Sequence, residues 1–122
     1  EDWCGAVIRH VPVLEKIGDR SEQLAVRYVT REAHKDVFVR YLTNGGEAIP
    51  KFIFINENFV ECGNWGPMTM AFRDLISRGK ACDDVASARK IIHDAYYADK
   101  VRADVVEELM GLIEIAGATS VT

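Results

Sequence analysis

No stretch of this sequence comes near the ~20 consecutive apolar residues that span a bilayer, so no membrane partner is expected. The opening residues Glu1, Asp2, Trp3 and Cys4 carry no secretory-leader pattern, although a processed chain would look the same. There is no excess of basic charge either. Fifteen Lys and Arg stand against 19 Asp and Glu, a formal charge of −4, which argues against a nucleic-acid partner held on a basic face. Cysteine is scarce and odd in number: Cys4, Cys62 and Cys82 leave at least one thiol without an intramolecular partner. No Cys-x-x-Cys pair repeats, so no structural zinc is expected, and no other cofactor is implied. A reducing cytoplasm is the simplest compartment. Internal repeats and low-complexity segments are also lacking.

What remains is an ordinary globular composition, 48% apolar and 28% charged over 122 residues. That is enough for one domain and not two. Apolar residues Val7, Ile8, Val11, Leu14 and Ile17 recur at three- and four-residue steps, predicting a helix over 6–18 that Pro12 should kink and Gly18 should stop. Residues 24–29 alternate and read as a strand. Residues 32–43 have helical spacing, closed by Asn44, Gly45 and Gly46. The run Phe52-Ile53-Phe54-Ile55 reads as a buried strand. Asn56, Glu57 and Asn58 then form a turn, and residues 59–65 return antiparallel before Gly66-Pro67 breaks the pairing. Helices are predicted over 68–77, 83–98 and 101–116, with Asp83 and Asp99 as N-caps, followed by a loose tail. The fold class is therefore α/β with a mixed sheet flanked by helices.

The segment Trp3-Cys4-Gly5, with Pro12 eight residues after the cysteine, resembles the active-site stretch of the thioredoxins. So does Ile49-Pro50 ahead of the 52–55 strand. The likeness covers residues 3–77 as a thioredoxin-like core. Residues 78–122 look like the helical C-terminal extension of a bacterial thioredoxin-like subfamily, the whole forming one domain. The resemblance implies that Pro50 is cis and faces Cys4, and that Trp3, Gly5, Ile49 and Pro50 border the substrate. Two departures stand out. Val7 occupies the place of the family's second cysteine, and Ala6 that of its proline. The family also places a central strand directly before the tryptophan, where this chain has two residues. A sheet missing that strand would leave backbone groups unpaired, so the strand is expected from upstream residues, another chain or an unexpected segment. A homo-oligomer stays open as one source.

A cysteine at a helix N-terminus meets unpaired N–H groups and the positive end of the helix dipole, which favour thiolate. Such cysteines reach pKa values of ~3.5–7.5. Cys4 is the candidate catalytic residue of a thiol-disulfide oxidoreductase-like protein. Without a resolving thiol at position 7 it is left to monothiol chemistry, with protein thiols or disulfides, or glutathione, as partners. Two other readings stand beside this one. Cys4 is an inert remnant on a redox-inactive, protein-binding module, or it binds metal across a dimer. His10 faces away from Cys4 along the helix and reads as surface or half-buried. Met68 and Met70 read as core filler. Glu57, Glu61, Asp83, Asp84, Glu107 and Glu108 form no acid–base pair and read as solvated faces or caps.

Overall fold

The computed structural model describes residues 4–122. The first helix, α1 (Gly5–Asp19), puts the three- and four-residue apolar stripe to use: Leu14 is buried, and Val11 and Ile17 pack beside it. Pro12 has no N–H to give to the preceding turn, yet the helix continues through it and runs one residue past Gly18.

Residues 24–29 are not a strand. Their alternation survives as burial, with Leu24 and Val26 half-buried and Ala25 and Arg27 exposed. A strand, however, is defined by its ladder, and no described backbone pairs with this segment. The helix predicted over 32–43 shrinks to α2 (Lys35–Phe38). Only Val37 and Phe38 of that helix are even half-buried, and a short helix without a packed apolar face has little to hold it. Thr43 and Gly46 then exchange backbone hydrogen bonds of 2.8 and 3.0 Å across a two-residue turn. Asn44 and Gly45 both take positive φ there, 51° and 80°, the signature of a primed hairpin turn.

The hairpin is present as β1 (Phe52–Ile55) and β2 (Glu61–Trp65), antiparallel with Phe52 opposite Trp65 and Phe54 opposite Gly63. Ile55 pairs with Glu61, so Cys62 is the extra residue of a bulge. Asn56 ties the turn with its side-chain oxygen, which accepts from Asn58 N–H at 2.9 Å and Val60 N–H at 3.0 Å.

Three helices follow: α3 (Met70–Ala81), α4 (Val85–Tyr97) and α5 (Arg102–Ala116). Thr69 caps α3 by accepting from Phe72 N–H. The cap of α4 is Asp84, accepting from Ser87 N–H at 3.1 Å, and not Asp83, which turns the chain with φ 56°. Asp99 likewise caps nothing. It adopts φ 53° and accepts from Arg102 at 3.0 Å, while α5 begins after Val101 without a side-chain cap. Met70 is exposed rather than core filler.

The described residues thus form five helices and one two-stranded sheet. The core joins Leu14 of α1, Phe52, Phe54 and Trp65 of the hairpin, and Val101, Val105 and Leu109 at and within α5. No helix among them is long and apolar enough to cross a membrane.

Candidate functional site

Cys4 stands at the N-cap of α1 with extended backbone (φ −85°, ψ 122°), and its carbonyl accepts the first helical bond from Ile8 N–H at 3.1 Å. Its side chain caps no N–H of the helix. Instead the half-buried thiol donates to the Ile49 carbonyl, with a sulfur–oxygen distance of 3.9 Å. The Ile49–Pro50 bond is cis and Pro50 is buried. Two stretches 45 residues apart therefore meet at one point. Gly5 opens α1 beside them, with nothing within 4 Å of where a Cβ would sit. Trp3 lies outside the described residues.

Two residues that sequence reasoning did not single out hold Pro50 in place. Lys51 Nζ donates to Thr43 Oγ1 and to the Gly66 carbonyl, both at 2.7 Å. It thereby ties the Thr43–Gly46 turn to the end of the hairpin. Partial burial, aided by the nearby Arg73 charge, pulls the Lys51 pKa below its usual value. Gly66 adopts φ +119°, and a Cβ there would fall 2.2 Å from the Pro50 carbonyl oxygen. Only glycine lets the two backbones come so close. The Gly66-Pro67 dipeptide carried a signal for this, which reads from sequence only as a strand breaker.

Val7 lies one turn into α1, half-buried. It lines a small apolar cavity of about 140 Å³ together with Val11, Phe38, Tyr41, Ile49 and Pro50. The second-cysteine position is therefore filled by a branched hydrocarbon facing the same space as Pro50. Cys62 and Cys82 stand elsewhere: the first donates to the Val60 carbonyl within the bulge and the second caps the end of α3. All three cysteines are free. No group of three His, Cys, Asp or Glu side chains able to hold a metal occurs among the described residues.

His10 corrects the sequence reading: it is only 2% exposed. It sits edge-on to Trp65, with ring centroids 4.9 Å apart, and shares a hydrogen bond through Nε2 with the Tyr96 hydroxyl. Its period along α1 turns it toward the hairpin and α4, which sequence alone cannot reveal without knowing what packs there. Trp65 Nε1 donates to Glu108 Oε1 at 2.8 Å, and the same carboxylate accepts from Met70 N–H at 3.1 Å. Arg9 lies 4.7 Å from the centre of the Tyr96 ring, a cation–π contact. Burial pushes the His10 pKa down to about 4, partly offset by the Ala6 carbonyl one turn back. His10 is therefore neutral in the folded protein at pH 6.5, where half of the unfolded chains are protonated at this residue. Stability from this group is complete above pH 6.5. It falls as the pH drops, because the unfolded state binds the proton first, and levels off below about 4, a loss of about 3 kcal/mol. Denaturant titrations at pH 7 and pH 4 should show this loss, and His10→Gln should flatten it.

Compared with protein-family models, residues 1–87 match the thioredoxins. That span is well over half of the chain, and it agrees with an α/β fold in which a cysteine at the start of a helix lies against a proline turn. The chain belongs to the thioredoxin family. No curated protein and no solved structure matches it.

Proposed function

We propose that this thioredoxin-family chain acts through a single thiol, Cys4, which exchanges with a disulfide of a protein partner or of glutathione. The observation that carries the reading is the Cys4 thiol lying against the Ile49 carbonyl beside Pro50. In the exchange, the Cys4 thiolate attacks one sulfur of the partner disulfide. That S–S bond breaks, the far sulfur leaves as thiolate, and a Cys4 mixed disulfide forms. A second thiol, from glutathione or the partner, then displaces Cys4. One disulfide is traded for another at each step, and no further electron donor is needed. With Val7 at the resolving position, turnover depends on that external thiol. Ile49 and Pro50, with Gly5 beside them, border an extended substrate. Free thiols at Cys4, Cys62 and Cys82 suit a reducing cytoplasm.

The test is mass spectrometry after exposure to oxidised glutathione. The expected result is one glutathione on Cys4, absent from Cys4→Ser and retained in Cys82→Ser. Modification that settles on Cys62 or Cys82 instead would remove the reading. Val7→Cys should go further. Residues three apart at the start of a helix fall within disulfide reach, so this variant is expected to form an internal disulfide with Cys4. It should also gain insulin-reducing activity at least tenfold above the parent.

One observation favours a second reading, that of a redox-inactive binding module. The cavity beside Pro50 is apolar, and Val7 helps to line it. A partner side chain seated there would be held without sulfur chemistry. Partner capture undiminished in Cys4→Ser would select this second reading.

A further inference from the structure

His10 is the most deeply buried side chain of residues 4–11. Trp65 of the hairpin and Tyr96 of α4 close on it edge-on, with ring centroids at 4.9 and 5.4 Å, and the Tyr96 hydroxyl shares a hydrogen bond with Nε2. The other ring nitrogen, Nδ1, is buried without a hydrogen-bond partner. Tyr96 stands beyond the residues that match the family. Its bond to His10, with the Arg9 contact on the same ring, therefore ties the cysteine-bearing helix to the C-terminal helices.

The tie falls where α1 is weakest. Pro12 gives no hydrogen bond to the Ile8 carbonyl, so the turns ahead of it are joined to the rest of the helix by one bond fewer. Cys4 stands at the head of those turns, its sulfur 3.9 Å from the Ile49 carbonyl oxygen. A thiol is a weak donor, so the sulfur stays there because the helix is held there. The hold has one vulnerable member. A proton added to His10 meets a hydroxyl from Tyr96, an indole edge from Trp65 and the like charge of Arg9 on its own helix. Glu108 of α5, whose charge reaches Tyr96, is already engaged by Trp65 and Met70. A buried cation with no carboxylate to pair with leaves its pocket.

We propose that His10 and Tyr96 are positioning residues for Cys4: their bond anchors the first turns of α1 and keeps the thiol against Ile49, so that the C-terminal helices govern how exposed the sulfur is. Losing the bond lets these turns move about Pro12 while the rest of the fold stands. Either deletion of the Tyr96 hydroxyl or a proton on His10 has this effect. The inference deepens the single-thiol reading and rests on it for the use made of Cys4. The position of the sulfur, however, can be measured whether or not Cys4 exchanges disulfides.

The experiment labels the full chain with 2,2′-dipyridyl disulfide, which stays reactive in acid, and reads each cysteine by mass spectrometry. The rate at Cys4 is divided by that at the exposed Cys82, which cancels the reagent's own pH dependence. At pH 7, Tyr96→Phe is expected to raise this ratio about tenfold, the weight of one buried polar group left unpaired. Ile92→Ala removes a buried side chain from the same helix and leaves the hydroxyl, and its ratio should match the parent's. In the parent the ratio should rise as the pH falls through about 4, where His10 takes up its proton, with the circular dichroism unchanged. Tyr96→Phe should show no such step. Three results overturn the proposal. The ratio is the same in Tyr96→Phe and the parent. Ile92→Ala raises it as much as Tyr96→Phe, which makes the effect a general loosening of α4. Or the acid rise comes only with loss of circular dichroism, which makes it global unfolding. Failure of Cys4 to take up glutathione, with these ratios as expected, would remove the single-thiol reading and leave the anchor in place.

Discussion

Gly66→Ala is expected to be the most damaging single substitution in the hairpin, lowering stability by about 4 kcal/mol or more, a size reserved for backbone strain combined with a hard clash. Two costs combine. A φ of +119° is a conformation that L side chains rarely adopt, and the new methyl group would lie 2.2 Å from the Pro50 carbonyl oxygen. The obstacle is main chain, so no side-chain rotation relieves it. Relief requires moving Pro50 or the end of β2, and Lys51 resists that by holding the Gly66 carbonyl and Thr43 together. Urea unfolding followed by circular dichroism checks the expectation: the midpoint should collapse. Gly5→Ala is the control, because nothing stands within 4 Å of its Cβ position, and its midpoint should hardly move. If Gly66→Ala unfolds at the parent's midpoint, the close approach of these two turns is wrong.

Trp65→Ala is the second expectation, with a loss of about 3–5 kcal/mol, the usual cost of deleting a large buried aromatic ring. The ring stacks on Phe52 at 5.3 Å and meets His10 edge-on, so its removal opens a hole between α1 and the hairpin. Trp65→Phe separates packing from polarity. It keeps most of the ring and loses the N–H that Glu108 accepts. Glu108 still has the Met70 N–H, so the cost should be smaller, about 1–2 kcal/mol. Unfolding curves of both variants measure the split. Equal losses would mean that the Glu108 bond, and not the ring, dominates.

The parts of this fold that were legible in sequence are those whose pattern is local. The stripe of α1 is read by its period and the Phe52-Ile53-Phe54-Ile55 run by its β-forming residues, and the structure has both elements, although Ile55 is exposed rather than buried. Residues 24–29 had the period of a strand without the neighbour that makes one, and no local pattern reports a missing neighbour. Helix α2 failed for a similar reason: residues 32–43 have helical spacing, but most of that stretch meets no partner surface. Asp83 and Asp99 were chosen as caps by residue type. The chain takes a left-handed step at each, which moves the true start of the following helix downstream.

The site divides in the same way. The Cys4 and Pro50 motifs were readable because a family likeness carries them. Lys51 and Gly66 were not, because their work is to hold two turns that lie 15 residues apart in sequence. His10 was misplaced because its burial depends on Trp65 and Tyr96, which only the folded chain brings to it.

Helix α5 is part of the core, although the family match ends at residue 87. Val105 is 2% exposed and Leu109 0%, and both press on the hairpin that carries Trp65. Where kinship can be recognised and where the chain becomes self-supporting are thus different boundaries. The outward positions of α5, such as Arg102, Glu107 and Glu114, can drift until nothing familiar is left. The inward ones are held to shape and volume, and those are properties that a comparison of letters scarcely registers.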